Sequence, residues 1–323
     1  MTEVFYSAPA PTTRRVRAYF APVDRTSRIP TVFDPALQCE FDPDHPPPPW
    51  TDLGWIQKFQ RKPASRMTQV SAGNPAVTLE QVVESVSAEV SCEFLSWSKL
   101  SMALATGSQH MNILAAQPGA IPTGSGGTAK PAVEIQSGST ANSILLLAAD
   151  ASQFVPGMKI AVDTDYIGES GYVGAPIAGA FIRSPLNDLD YIRRVTFNVG
   201  VIADVTSDRV TLANALPGGS PRSDAKLQQI TGFVDREGGC FHLEWSALFV
   251  MEGTQGEKIY YHYPRLQAIN GAEEGLYPID ASDTGYDRVL LIGRFLALPV
   301  TDSLDGEKVV CYRSFIPAPN ALI

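Results

Sequence analysis

Hydrophobic and polar residues alternate most sharply over 85–95, where Val86, Ala88, Val90, Cys92 and Phe94 interleave with Ser85, Ser87, Glu89, Ser91 and Glu93. A period of two with one apolar face predicts an antiparallel strand lying over a core. The period then changes: Trp97, Leu100 and Leu104 fall at i, i+3 and i+7, with Ser96 placed to cap and Gly107 to terminate. This predicts a short amphipathic helix over 96–106. A second helix is expected over 76–83. Farther along, Phe241, Leu243, Trp245, Ala247 and Phe249 alternate with His242, Glu244 and Ser246, and a turn is expected at 252–256 before a strand over 258–268.

Strands are also expected over 289–298 and 309–315, and over 143–149, 158–163, 196–205 and 209–216. Gly, Pro, Ser and Thr dominate 117–131 and 217–221, which read as linkers. The simplest organisation is a discontinuous β-rich domain (53–127 and 233–323) interrupted by a small all-β module (128–232). An extended N-terminal arm or loop, 1–52, precedes them. The expected core of the larger domain comprises Val86, Val90, Phe94, Trp97, Leu100, Leu243, Trp245 and Phe249.

Charge comes in blocks. Residues 1–32 hold five arginines (Arg14, Arg15, Arg17, Arg25, Arg28) against two acids, and residues 33–52 hold five acids and no Lys or Arg. Lys58, Arg61, Lys62 and Arg66 follow. Such blocks are usually solvated arms, and opposite-sign blocks also suit pairing between copies of one protein. Inside the acidic block, four prolines (46–49) between His45 and Trp50 predict a polyproline spacer that ends in an aromatic anchor. The subunit-interface candidates are therefore Arg14, Arg15, Arg17, Cys39, Trp50, Trp55, Lys58, Arg61 and Lys62.

Composition narrows the class. Of the 323 residues only 18% are charged, below the average of about 25%. A low charge count suits a surface largely covered by partners. The net charge of −9 argues against gripping nucleic acid as the main role. No run approaches about 20 apolar residues, so no transmembrane helix is expected, and the N-terminus does not read as a signal peptide.

Candidate chemistry is sparse. The four cysteines (Cys39, Cys92, Cys240, Cys311) form no C-x-x-C pair. Cys92 is in phase with the core, whereas Cys39 sits in a polar segment and could bridge subunits. The Gly-rich run 124–130 superficially resembles a phosphate loop, but Lys130 precedes Pro131, which blocks the helix such a loop requires. Asp163-Thr164-Asp165 begins like a calcium loop, yet Ile167 and Gly174 stand where oxygen ligands belong. His242, His262 and Cys240 could approach one another without a fourth ligand at a telling spacing, and Glu273-Glu274 reads as solvated. Neither G-x-S-x-G nor H-E-x-x-H occurs. The expectation is a protein that is not an enzyme, with no catalytic residue, no metal and no cofactor.

Several segments resemble the bacteriophage tail tube (major tail) protein family. They are Asp52-Leu53-Gly54-Trp55-Ile56 with its basic continuation, the strand 85–95 with Trp97-Ser98-Lys99-Leu100, the run Ile259 to Leu266, and Val289 to Leu298. The similarity covers about 53–118 and 233–315. It implies a mainly β, tail-tube-like sandwich or barrel with one short flanking helix, assembled as stacked rings, six-membered by analogy, into a virion tail built in the host cytoplasm. Partners would be copies of the chain, possible sheath, baseplate and tail terminator proteins, and DNA in transit during ejection, with no membrane. The module at 128–232 departs from a minimal tube protein. Alternatives are a tube or baseplate component of another contractile injection machine, or a monomeric carbohydrate-binding β protein.

Overall fold

A computed structural model describes residues 13–23, 29–36, 41–47, 49–119, 129–164, 191–236, 244–254, 256–269, 271, 273–278 and 287–317. The fold is mainly β. In chain order the first strands are β1 (Thr13–Pro22), β2 (Thr51–Ala72) and β3 (Val77–Phe94), followed by helix α1 (Lys99–Thr106). Then come β4 (Gln109–Leu114), β5 (Val133–Glu134), β6 (Ser143–Leu145), α2 (Ala148–Ala151), β7 (Lys159–Asp163) and α3 (Tyr191–Val195). After these run β8 (Val199–Val205), β9 (Arg209–Leu212), β10 (Lys226–Arg236), β11 (Glu244–Gly253) and β12 (Lys258–Ala268). The chain finishes with β13 (Glu273–Pro278), β14 (Asp287–Ala297), β15 (Val300–Thr301), β16 (Lys308–Val309) and β17 (Tyr312–Ile316).

One antiparallel sheet runs β13-β14-β3-β2-β1-β11-β12-β17, and β12 also pairs with β14. That extra pairing, Leu266 with Ala297 through Ala268 with Phe295, closes β14, β3, β2, β1, β11 and β12 into a six-stranded barrel. Its interior holds Phe20, Phe94, Phe249, Tyr263, Leu266 and Phe295. Phe20 lies edge-on to Phe249, with ring centroids 5.9 Å apart.

The apolar positions of the alternation from 88 to 94 face the core: Ala88, Val90, Cys92 and Phe94 are buried. The strand begins earlier, at Val77, so the expected helix over 76–83 is instead a turn residue, Ala76, followed by strand. Val86 is only half-buried, because it lies where β3 leaves the barrel. The helix begins at Lys99 rather than at 96. Ser98 caps it, forming a capping box with Ser101, while Ser96 Oγ donates to the Leu53 carbonyl. Trp97 therefore precedes the helix and is 51% exposed, not core. Leu100 is half-buried, Trp245 and Phe249 are buried, and Leu243 lies outside the described residues.

Residues 1–52 are not an arm throughout. The strand β1 lies between β2 and β11 in the barrel wall. Ala18 and Phe20 face the interior, while Tyr19 and Ala21 enter a second cluster with Phe33, Phe41, Trp50, Leu248, Val250 and Tyr260. The segment that follows β1 thus folds back and covers the outside of β1, β11 and β12, so both faces of β1 are buried.

The second sheet runs β4-β10-β7-β8-β9-β6, with β5 alongside β10. Ile144, Ile160, Val162, Ile202, Val210 and Leu227 form its separate core. Because β4 pairs with β10 over Gln109–Leu114, this sheet starts directly after α1, earlier than the linker at 117–131 suggests. Between the sheets lies a buried polar junction of Lys99, His110, Asn112, Arg193, Thr196 and Gln228.

Candidate functional site

The feature that stands apart from both cores is the outer half of the β2–β3 hairpin. These strands pair from Ile56 with Phe94 out to Ala72 with Val77. β1 accompanies β2 only as far as Ile56, and β14 accompanies β3 only from Ala88 onward. Between these limits the hairpin runs alone, with both edges open among the described residues. Ala72 lies ten residue steps beyond Lys62, so at about 3.3 Å each the ribbon projects roughly 33 Å. A bulge between Gln57 and Gln60 re-aims it, and Lys58 there adopts a left-handed conformation with φ 49°.

Every residue from Lys62 to Ser85 is exposed, including Met67, Val70, Val77, Leu79, Val82 and Val83. Met67 pairs with Val83 on one face; Val82, opposite Thr68, shares the other face with Val70. Apolar groups thus lie on both sides, and Leu79 is 69% exposed. A lone two-stranded ribbon is marginal in water, and open edges invite a further strand. Charge divides by strand. Residues 61–72 carry Arg61, Lys62 and Arg66 with no acid, and residues 77–89 carry Glu80, Glu84 and Glu89 with no base. Within the ribbon Arg66 Nε meets Glu84 Oε2 at 2.9 Å.

A second exposed ribbon lies at the other end of β14. There β13 pairs with β14 from Glu273–Ile292 to Pro278–Asp287, passing beyond the last β3 partner, Leu291, from Gly275–Leu290 onward, and exposes Leu276, Tyr277 and Val289. The Glu273-Glu274 pair is on this ribbon, and Glu273 takes Arg294 at 2.6 Å.

The expected interface residues scatter. Arg14 belongs to β1. Arg15 is exposed and lies over the Trp55 ring at 5.4 Å. Arg17 is committed within the subunit, to Asp44 at 2.7 Å and Asp52 at 2.6 Å, and these carboxylates raise its pKa against the cost of burial. Trp50 is buried in the outer cluster, so it anchors the chain to its own barrel and is not offered to a neighbour. Lys58 binds Glu93 at 2.6 Å; Arg61 is half-buried and Lys62 exposed at the root of the ribbon. Cys39 lies outside the described residues.

The other expectations find no assembled chemistry. His262 is buried beside Trp50 and Tyr312, while His242 and Cys240 lie outside the described residues. Among the described residues no three His, Cys, Asp or Glu side chains group to hold a metal, and no helix is long and apolar enough to cross a membrane. A depression of about 200 Å³ lined by Arg17, Tyr19, Asp44, Trp55 and Glu252 has its arginine already paired. The ribbon's length escaped the sequence reading, although the split of basic and acidic residues about Gly73 was visible. No protein-family model matches the chain, and no curated protein matches it.

Proposed function

We propose that this protein is a structural subunit that polymerises through its own hairpins into stacked rings, forming a bacteriophage tail tube through which DNA passes during ejection. The observation that carries the reading is the solitary ribbon 62–85: open on both edges, apolar on both faces, basic on one strand and acidic on the other. A second copy of the chain is the occupant whose chemistry fits. If β2 of one copy lies beside β3 of the next, Lys62 on the basic strand meets Glu80 on the acidic one. Arg66 and Glu84 then exchange their pairing within the ribbon for one across the contact, and each open edge is closed. The contact uses different surfaces on the two copies, which generates a ring when the rotation closes. The exposed ribbon of β13 and β14 offers further apolar surface for a neighbour within or between rings. The six-membered ring and the DNA conduit rest on the resemblance to tail tube proteins.

The test is the assembly state of the full chain, followed by sedimentation across a wide concentration range and by negative-stain images. Rings or tubes are expected. A variant in which 64–87 is replaced by an Asn-Gly turn, closing the ribbon after the Pro63–Ala88 pair, should keep the barrel and stay monomeric. A monomer at all concentrations from the full chain, or tubes from the shortened one, would overturn the proposal.

A further inference from the structure

At the junction of the two sheets, α1 presents Lys99 to Asn112 on β4. Lys99 Nζ donates to Asn112 Oδ1 at 2.9 Å and also to the Thr196 carbonyl. Asn112 Nδ2 donates to the carbonyls of Arg193, at 2.7 Å, and Thr196, at 3.0 Å. That arrangement fixes the amide's orientation: its oxygen faces the amine and its nitrogen faces two acceptors. The Asn112 Cγ lies one C=O bond, about 1.23 Å, beyond Oδ1, so Nζ is within about 4 Å of it. Both side chains are buried. The Phe197 ring lies 4.9 Å from Nζ, and wholly buried Asp163 is near enough for its charge to act on Lys99.

We propose that Lys99 and Asn112 become joined by an intramolecular isopeptide bond. The Lys99 amine adds to Asn112 Cγ, an Nζ proton passes to Nδ2, the Cγ–Nδ2 bond breaks, and ammonia leaves. One C–N bond forms and one breaks, with no oxidant, reductant or co-reactant. The reaction needs a neutral amine, held against a carbonyl with water excluded. Burial supplies the first condition by holding the Lys99 ammonium well below the usual lysine range, against the opposing pull of Asp163. The 2.9 Å contact supplies the second. An ordinary buried lysine would be expected to face a carboxylate; this one is hydrogen-bonded to a carboxamide, which can be converted to a new amide by losing ammonia. The product ties helix to strand at the seam between the sheets. This inference does not depend on the assembly reading.

The full-length protein, purified folded, should be lighter than its sequence by one ammonia, and Lys99→Met and Asn112→Ala should each abolish the deficit. Cyanogen bromide cleaves after Met67, Met102, Met111 and Met158. In the wild type 68–102 and 112–158 should therefore emerge as one branched species. The wild-type digest decides the matter even if the variants fail to fold. An undiminished mass, separate fragments, or a deficit located elsewhere, as at a succinimide, would overturn the proposal.

Discussion

Arg17 grips Asp52 with two parallel bonds, Nε to Oδ1 at 3.1 Å and Nη2 to Oδ2 at 2.6 Å, joining β1 to the start of β2. Asp52 Oδ1 also accepts the Gly54 amide at 2.8 Å, so the carboxylate is held by its own turn. Bidentate geometry and partial burial make this pair stronger than a surface ion pair. Asp52→Asn should lower unfolding stability by about 1–3 kcal/mol in chemical denaturation, without selective loss of assembly. Deleting residues 1–22 should abolish the folded barrel altogether, since β1 is interior; a truncated chain that still unfolds cooperatively would contradict this.

Reversing one side of the ribbon's charge should stop polymerisation. Lys62→Glu with Arg66→Glu is expected to give a folded monomer at low salt. Adding Glu80→Lys and Glu84→Lys to the same chain should restore assembly, because opposite signs again meet across each contact. Light scattering of the three proteins checks it. Equal assembly by all three would show that charge does not set the pairing.

Hydrophobic truncation should separate the ribbon from the barrel. Phe249→Ala, in the wholly buried core, should cost about 3–5 kcal/mol. Trp50→Ala should also lower subunit stability by a few kcal/mol, on the order expected for a buried aromatic. Met67→Ala, exposed on the ribbon, should leave subunit unfolding within about 0.5 kcal/mol of wild type while weakening assembly. Thermal melts of monomeric protein, beside assembly assays, read the two effects apart.

Acid should loosen the outer cluster. Burial holds His262 down to about 4, and its Nε2 lies 3.2 Å from the Thr31 carbonyl. The unfolded chain takes up this proton near pH 6.5, whereas the folded chain resists until about pH 4. The stability from keeping His262 neutral is therefore complete above about pH 6.5 and is lost as pH falls toward 4, up to roughly 3 kcal/mol. His262→Phe should flatten the fall of the melting temperature across that window; an unchanged slope would refute the assignment.

What could be read from the chain depended on whether a strand had one wet face. Residues 88–94 alternate because β3 there covers the barrel interior, whereas 245–249 alternate in sequence only through Ser246, since both faces of β11 are buried there. Tyr19 and Ala21 are as buried as Ala18 and Phe20, so β1 shows no alternation and resembled part of a tethering arm. The ribbon 62–85 is wet on both faces, so its pattern follows no core and 76–83 resembled a helix. Trp97 fits a helical spacing by coincidence, because the Ser98 cap starts the helix after it. Lys99 could not be singled out from sequence, since its partners Asn112 and Thr196 reach it only through tertiary packing.

The barrel's circumference is completed by three residue pairs between β12 and β14, where every other wall contact is longer. Upstream of them β12 leans on β17, which lies outside the ring. Amides of Leu266 to Ala268 should accordingly trade hydrogen for deuterium sooner than those of β1 or β11, and the cylinder should unzip from that short hem when heated.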